Sequence, residues 1–153
     1  MKLFPWQKKD QFFNAEEKQA IAKAIQAAEE RTSGEIRVFV ESRCRFVDAI
    51  DRATEIFFGL KMEKTDNRNA VLIYVAMKDH QLAVFGDEGI HQKLGQEYWN
   101  AIIKNLVGNF NQDDYAAGIC QSVTAIGEAL HYHFPFDRTT DKNELPDDIV
   151  FGR

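Results

Sequence analysis

Apolar residues recur along this chain with two distinct periods. After Asn14, the residues Ile21, Ala24, Ile25 and Ala28 fall three and four apart, which predicts an amphipathic helix. Asn14 followed by Glu17 reads as a capping box at its start. From Ile36 the period drops to two. Ile36, Val38 and Val40 alternate with Arg37, Phe39 and Glu41, a strand with one strongly apolar face. Asp48 caps a second predicted helix. Asp51 sits in its first turn, where the dipole favours negative charge, and Ala53, Ile56, Phe57 and Leu60 form its apolar face. A polar loop, 63–68, leads into an unbroken apolar run over 69–77, the mark of a strand covered on both faces. The turn Lys78-Asp79-His80 sends the chain back as a third strand over 81–85. Helices are predicted over about 88–94, 96–107 and 112–132, the last with Ile119, Val123, Ile126 and Leu130 in register. Gly118 and Gly127 lie inside that helix, where each costs about 1 kcal/mol against alanine; close approach of another backbone would explain them.

These elements imply an α/β fold: a small mixed β-sheet sandwiched between α-helices (α/β/α), Rossmann-like. The 153 residues suit one domain, taken as 1–134, with a polar, proline-bearing extended tail over 135–153 whose Phe151 docks on the surface. A formal charge of −5 argues against nucleic acid as a partner, because phosphate binding needs a clustered basic surface. No apolar stretch is long enough to span a membrane, and the first ten residues lack a secretory core. A cytoplasmic location is therefore expected, although a mature exported chain would look the same. Cys44 and Cys120 have no C-x-x-C spacing and are read as reduced thiols.

Topology directs the search for chemistry. A parallel pair followed by an antiparallel hairpin brings the start of the first strand, the start of the second and the end of the third to one edge. That edge collects Thr32-Ser33-Gly34-Glu35, Thr65-Asp66-Asn67-Arg68-Asn69 and Gly86-Asp87-Glu88-Gly89, an oxygen-rich set of the kind hard cations prefer. If Glu35, Asp66 and Asp87 converge there, their charges repel in the metal-free protein. The plainer reading is that Asp87 caps the next helix, Glu35 faces solvent, and Asn67 and Asn69 make turns. The opposite edge, beyond the carboxyl ends of the parallel strands, offers Glu41, Ser42, Arg43, Cys44, Arg45 and the Lys78-Asp79-His80 turn, with Arg43 and Arg45 suited to an anion. No nucleotide-binding or nucleophile-elbow motif occurs at either edge.

Several of these segments resemble the TPM-domain family. They are Ser-Gly-Glu-Ile-Arg-Val (33–38), Arg-Asn-Ala-Val-Leu-Ile-Tyr-Val-Ala (68–76), Phe-Gly-Asp-Glu-Gly-Ile (85–90), Tyr98-Trp99, Asp114-Tyr115, His133-Phe134-Pro135 and the closing Asn143-Glu144-Leu145-Pro146. The resemblance implies a small sheet between helices, and a calcium or other divalent ion in loops at one end of the sheet. It favours a divalent-cation cofactor, calcium or magnesium, on Glu35, Asp66, Asn69, Asp87 and Glu88. Where the wider family often reads Asp-Asn-Gly-Val-Leu, this chain has Arg68-Asn69-Ala70. Arg68 repels a cation and suits a phosphate group, so it is the candidate anion-binding residue. The family includes a protein described as an acid phosphatase, which makes a weak metal-assisted phosphomonoesterase one alternative, with no catalytic residue identified. The other is a non-enzymatic interaction module with a protein partner in a membrane-linked system, using Trp6, Phe12, Phe13 and the end of the tail.

Overall fold

The structure, a computed structural model, describes residues 12–45, 48–136 and 149–151. The first helix begins as its capping signal predicts. Asn14 Oδ1 accepts the Glu17 N–H at 2.7 Å, and Glu17 Oε1 accepts the Asn14 N–H at 3.0 Å. In chain order the described elements are α1 (Ala15–Glu29), β1 (Glu35–Glu41), α2 (Ala49–Gly59), β2 (Ala70–Ala76), β3 (Gln81–Gly86), α3 (Glu88–Leu94), α4 (Gln96–Phe110), α5 (Tyr115–His133) and β4 (Val150–Phe151). The strands stand in the order β3-β2-β1-β4, with β1 parallel to both β2 and β4 and β3 antiparallel to β2. One face packs Ile36, Val38, Val40, Val71 and Ile73 against α1, α4 and α5. The other packs Phe39, Leu72 and Tyr74 against Ala53 and Phe57 of α2. Among the described residues the α/β/α sandwich is thus a helical layer of α1, α4 and α5, a mixed sheet, and α2 on the other face. No helix among the described residues is long and apolar enough to cross a membrane.

Close approach accounts for the two helix glycines. A Cβ on Gly127 would lie 2.6 Å from Ala28 Cβ, so α5 touches α1 backbone to backbone there; one on Gly118 would lie 2.8 Å from Asn109 Cβ. The boundaries differ from expectation mainly around α4, which runs on to Phe110. The chain then turns through Asp113 in the left-handed region (φ 58°), which delays α5 to Tyr115. Trp6, predicted to cover a groove, lies outside the described residues.

The larger difference is the fourth strand. The tail leaves α5 with a bridge between Pro135 and Thr32, and at 150–151 its backbone returns to pair with Phe39 and Val40 of β1. The Phe151 ring, expected to dock, lies outside the described side chains. Pairing on both sides makes β1 an interior strand, and all seven of its residues are buried. Its second face is therefore not a solvated one: Glu35, Arg37 and Glu41 are only 2%, 4% and 2% exposed.

Charges at such depth survive only when matched. Glu41 is held at the carboxyl end of β1 by Arg52 of α2, whose Nε and Nη2 donate to its two oxygens at 2.9 and 3.0 Å, and by the Tyr74 hydroxyl. Arg52 in turn lies over the Phe39 ring, 5.8 Å from its centre. Nearby, Asp79 accepts from Arg43 Nη1 at 3.0 Å and from the Cys44 N–H at 2.8 Å. Arg43, one of the two arginines expected to offer an anion site at this edge, is thus paired with Asp79.

Two predictions follow from this cluster. Arg52→Met should strand the Glu41 carboxylate and cost about 3–5 kcal/mol, whereas the double variant with Glu41→Gln should recover much of the loss; urea unfolding measures both. Burial, with the hydrogen bond to Glu41, pushes the Tyr74 phenol above its ordinary value of 10.0, and burial also raises Tyr98. A raised acid stabilises the fold fully below the unfolded pKa and loses that contribution as pH rises above it. Stability should therefore fall above pH ~10 by up to ~1.4 kcal/mol per unit for each such group. Tyr74→Phe should be less stable at neutral pH and show a shallower alkaline decline.

Candidate functional site at the loop edge of the sheet

Strand register brings the predicted edge together. Glu35 stands opposite Ala70 on β2, and the Asp87 N–H donates to the Ala70 carbonyl at 2.9 Å, just past the end of β3. Directly opposed residues share a face of a sheet, so Glu35 and Asp87 flank the small Ala70 side chain on the α2 side.

The loop before β2 supplies the cation. Its backbone folds back through Arg68, which sits in the left-handed region at φ 51°. The Arg68 carbonyl accepts the Gly89 N–H at 2.8 Å, which ties the loop to the first turn of α3. A Cβ on Gly89 would come within 2.0 Å of the Asn67 oxygen, so only glycine permits this approach. From there Arg68 reaches Asp87 with both arms of the fork, Nε to Oδ2 at 2.6 Å and Nη2 to Oδ1 at 2.8 Å, while Nη1 meets Glu88 Oε1 at 3.2 Å. Asp87 Oδ1 also accepts the Glu88 N–H at 2.8 Å and caps α3. Hydrogen bonding to Asp87 holds the Arg68 proton more tightly than usual, and the charges of Asp87, Glu88 and Glu63 add to that hold. The acidic edge therefore has a built-in positive charge, where the sequence alone suggested carboxylates in mutual repulsion.

The remaining predicted ligands are arranged differently. Asn69 is buried; its Nδ2 donates to Ser33 Oγ at 3.1 Å and its N–H to Thr65 Oγ1 at 3.3 Å. Its Oδ1 is also buried and accepts no hydrogen bond among the described residues. Asp66 lies exposed in the loop before Asn67. Glu35 is buried beside Arg37. Burial lowers the Arg37 guanidinium below its ordinary value, and the charges of Glu35 and Glu29 pull it back up. Thus Asp87, Glu88 and Arg68 touch, Asn69 joins Ser33, and Glu35 faces Arg37. Among the described residues no group of three or more His, Cys, Asp or Glu side chains is arranged to hold a metal ion. The Ser33 and Thr65 hydroxyls serve as acceptors for Asn69.

Sequence reasoning missed one feature beside this edge. The Trp99 indole N–H donates to His91 Nδ1 at 2.9 Å, which leaves the His91 proton on Nε2. The two residues belong to different helices, and no spacing rule links them. Together with β3 they line a groove that opens next to Arg68.

Comparison with known proteins places this geometry. A sequence profile of the TPM domain matches residues 7–129. No curated protein matches the chain. Among solved structures, the BA42 protein of the psychrophilic bacterium Bizionia argentinensis is 38% identical and superposes with a TM-score of 0.84, covering 92% of this chain and 96% of BA42. The N-terminal domain of a protein from P. gingivalis (17% identity, TM-score 0.66, 83% of each chain) shares the fold. So does the N-terminal domain of cg2496 from Corynebacterium glutamicum (16%, 0.59, 77% of this chain and 74% of that one). With the profile and the BA42 likeness each spanning most of its length, the chain belongs to the TPM-domain family.

Proposed function

We propose that this protein is a non-catalytic TPM domain that takes a divalent cation, calcium or magnesium, weakly at the loop edge, in competition with its own Arg68. The observation that carries the reading is the position of the Arg68 guanidinium, gripped by Asp87 and Glu88 with Glu63 adding to the field. Carboxylates converge there on one positive charge. The Asn69 Oδ1, buried without a donor, is a neutral oxygen close in sequence to the same loop, and Asp66 is exposed beside it. Calcium accepts such mixed shells of carboxylate, amide and water. An entering ion must first open a bidentate bridge, which lowers its affinity. Hydrolysis is the weaker reading, because Arg68, the arginine at this edge suited to a phosphoryl group, is already committed to Asp87.

Calorimetric titration with calcium tests this. Wild type should bind in the millimolar range, Arg68→Ala at least about tenfold more tightly, and Asp87→Asn more weakly than either. An absence of heat, and of amide shifts at Asp66, Asp87 and Glu88, for both wild type and Arg68→Ala at ~10 mM ion would overturn the reading. Without metal, Asp87→Asn should be less stable than wild type, because it gives up a charged bridge and not a repulsion.

A further inference from the structure

We propose that the loop edge binds a carboxylate together with its cation, and that Arg68, released when Asp87 and Glu88 take the ion, is the seat of that carboxylate. This rests on the cation reading above and adds a second ligand to it. The Arg68 fork is already shaped for such a group. Nε and Nη2 meet the two oxygens of Asp87 at 2.6 and 2.8 Å, the paired geometry in which a guanidinium matches a planar carboxylate. Nη1 reaches Glu88 Oε1 at 3.2 Å.

Asp87 cannot leave this bridge, so the guanidinium has to. The Asp87 side chain is 2% exposed, its Oδ1 accepts the Glu88 N–H at 2.8 Å, and its own N–H is fixed to the Ala70 carbonyl at 2.9 Å. The Arg68 backbone is held as well. Its carbonyl takes the Gly89 N–H at 2.8 Å, a tie in which the guanidinium has no part. What remains free to turn is the Arg68 side chain, 36% exposed. Once Asp87 and Glu88 hold an ion, the displaced guanidinium stays tethered within a side chain's length of it. Two carboxylates facing one guanidinium leave the trio one positive charge short, and a divalent ion leaves it with one in excess. An anion arriving there is attracted by both cations.

A carboxylate also supplies oxygens that the ion still needs. Calcium takes about six to eight of them. Among the described residues no group of three or more His, Cys, Asp or Glu side chains is arranged to surround an ion. Asp87, Glu88 and the neutral Asn69 Oδ1, itself buried without a donor among the described residues, leave such a shell open to an outside ligand. A carboxylate placed between ion and fork gives the one an oxygen and restores to the other the bidentate partner it lost. The exchange at Arg68 is like for like, so cation and carboxylate tighten each other's binding, by the same factor in both directions. A neutral amide of the same shape offers the fork no charge-assisted bond and gives no such coupling.

The test titrates the full-length protein with calcium by calorimetry, once in ~0.1 M sodium acetate and once in sodium chloride at equal ionic strength. Acetate should tighten calcium binding at least about fivefold in wild type, and acetamide should not. Arg68→Ala, tighter for calcium alone, should show less than about twofold coupling to acetate. Arg68→Lys, which keeps the charge and loses the fork, should fall between the two. Amide spectra check that both variants keep the fold. A capped Ala-Glu-Ala peptide in place of acetate separates two sources of the carboxylate. Coupling at least about tenfold stronger with the peptide assigns the seat to an acidic side chain of a protein partner, and equal coupling assigns it to small free carboxylates. Calcium binding that acetate leaves unchanged in wild type, or tightens equally in Arg68→Ala, would overturn this proposal and leave the cation reading standing. No calcium binding by wild type or Arg68→Ala, with or without acetate, would overturn both.

Discussion

An ionised side chain inside a protein has to be matched where it lies, and β1 places three of them at the centre of the sheet. The surrounding layers are pinned by how those charges are met. Glu41 draws Arg52 across from α2, and Tyr74 of β2 joins from the neighbouring strand. Arg37 sits between the fields of Glu35 and Glu29. Glu29 also accepts the Ile36 N–H at 2.8 Å and so fastens the end of α1 to the start of β1. The apolar clusters supply most of the burial on either face, but they are tolerant of sliding. The charged contacts are directional, and they fix where α1 and α2 stop along the sheet.

Both ends of the sheet use an arginine against an aspartate or glutamate, yet the two pairs differ in freedom. Arg52 is stacked on Phe39 and its carboxylate is shared with a phenol, so it is part of the interior. Arg68 projects from a loop, grips two carboxylates and keeps a substantial exposed surface. The two carboxylates are equally buried, with 2% of the Asp87 side chain and 3% of the Glu41 side chain exposed, so the pairs differ on the arginine side alone, where Arg68 keeps 36% of its side chain exposed and Arg52 24%.

Periodicity made most elements legible, and topology alone identified the loop edge. The spacing of Ile21 and Ile25, the alternation from Ile36 and the unbroken run through Tyr74 each report local burial, which the local sequence encodes. The polar face of β1 was not legible as buried, because its cover includes a strand from the far end of the chain. Arg68 was singled out in the sequence as a residue suited to an anion, whereas its pairing with Asp87, nineteen residues away, depends on a backbone turn that no residue pattern announces. The groove on β3 was missed for a related reason. Which strand is left at an edge follows from strand order, and the strand order was completed by two residues that read as tail.

Arg68 also constrains which residues its neighbourhood tolerates. A left-handed backbone at φ 51° costs a side chain like arginine more than it costs asparagine, aspartate or glycine. Mutational drift should therefore carry this position toward the cheaper residues unless something opposes it. The bridge to Asp87 is the opposing term, and Gly89 is its accomplice, since any bulkier residue there would push the turn apart. The three positions are therefore coupled: a change at Asp87 strands the guanidinium, and a side chain at Gly89 would collide with the backbone of the turn that presents it.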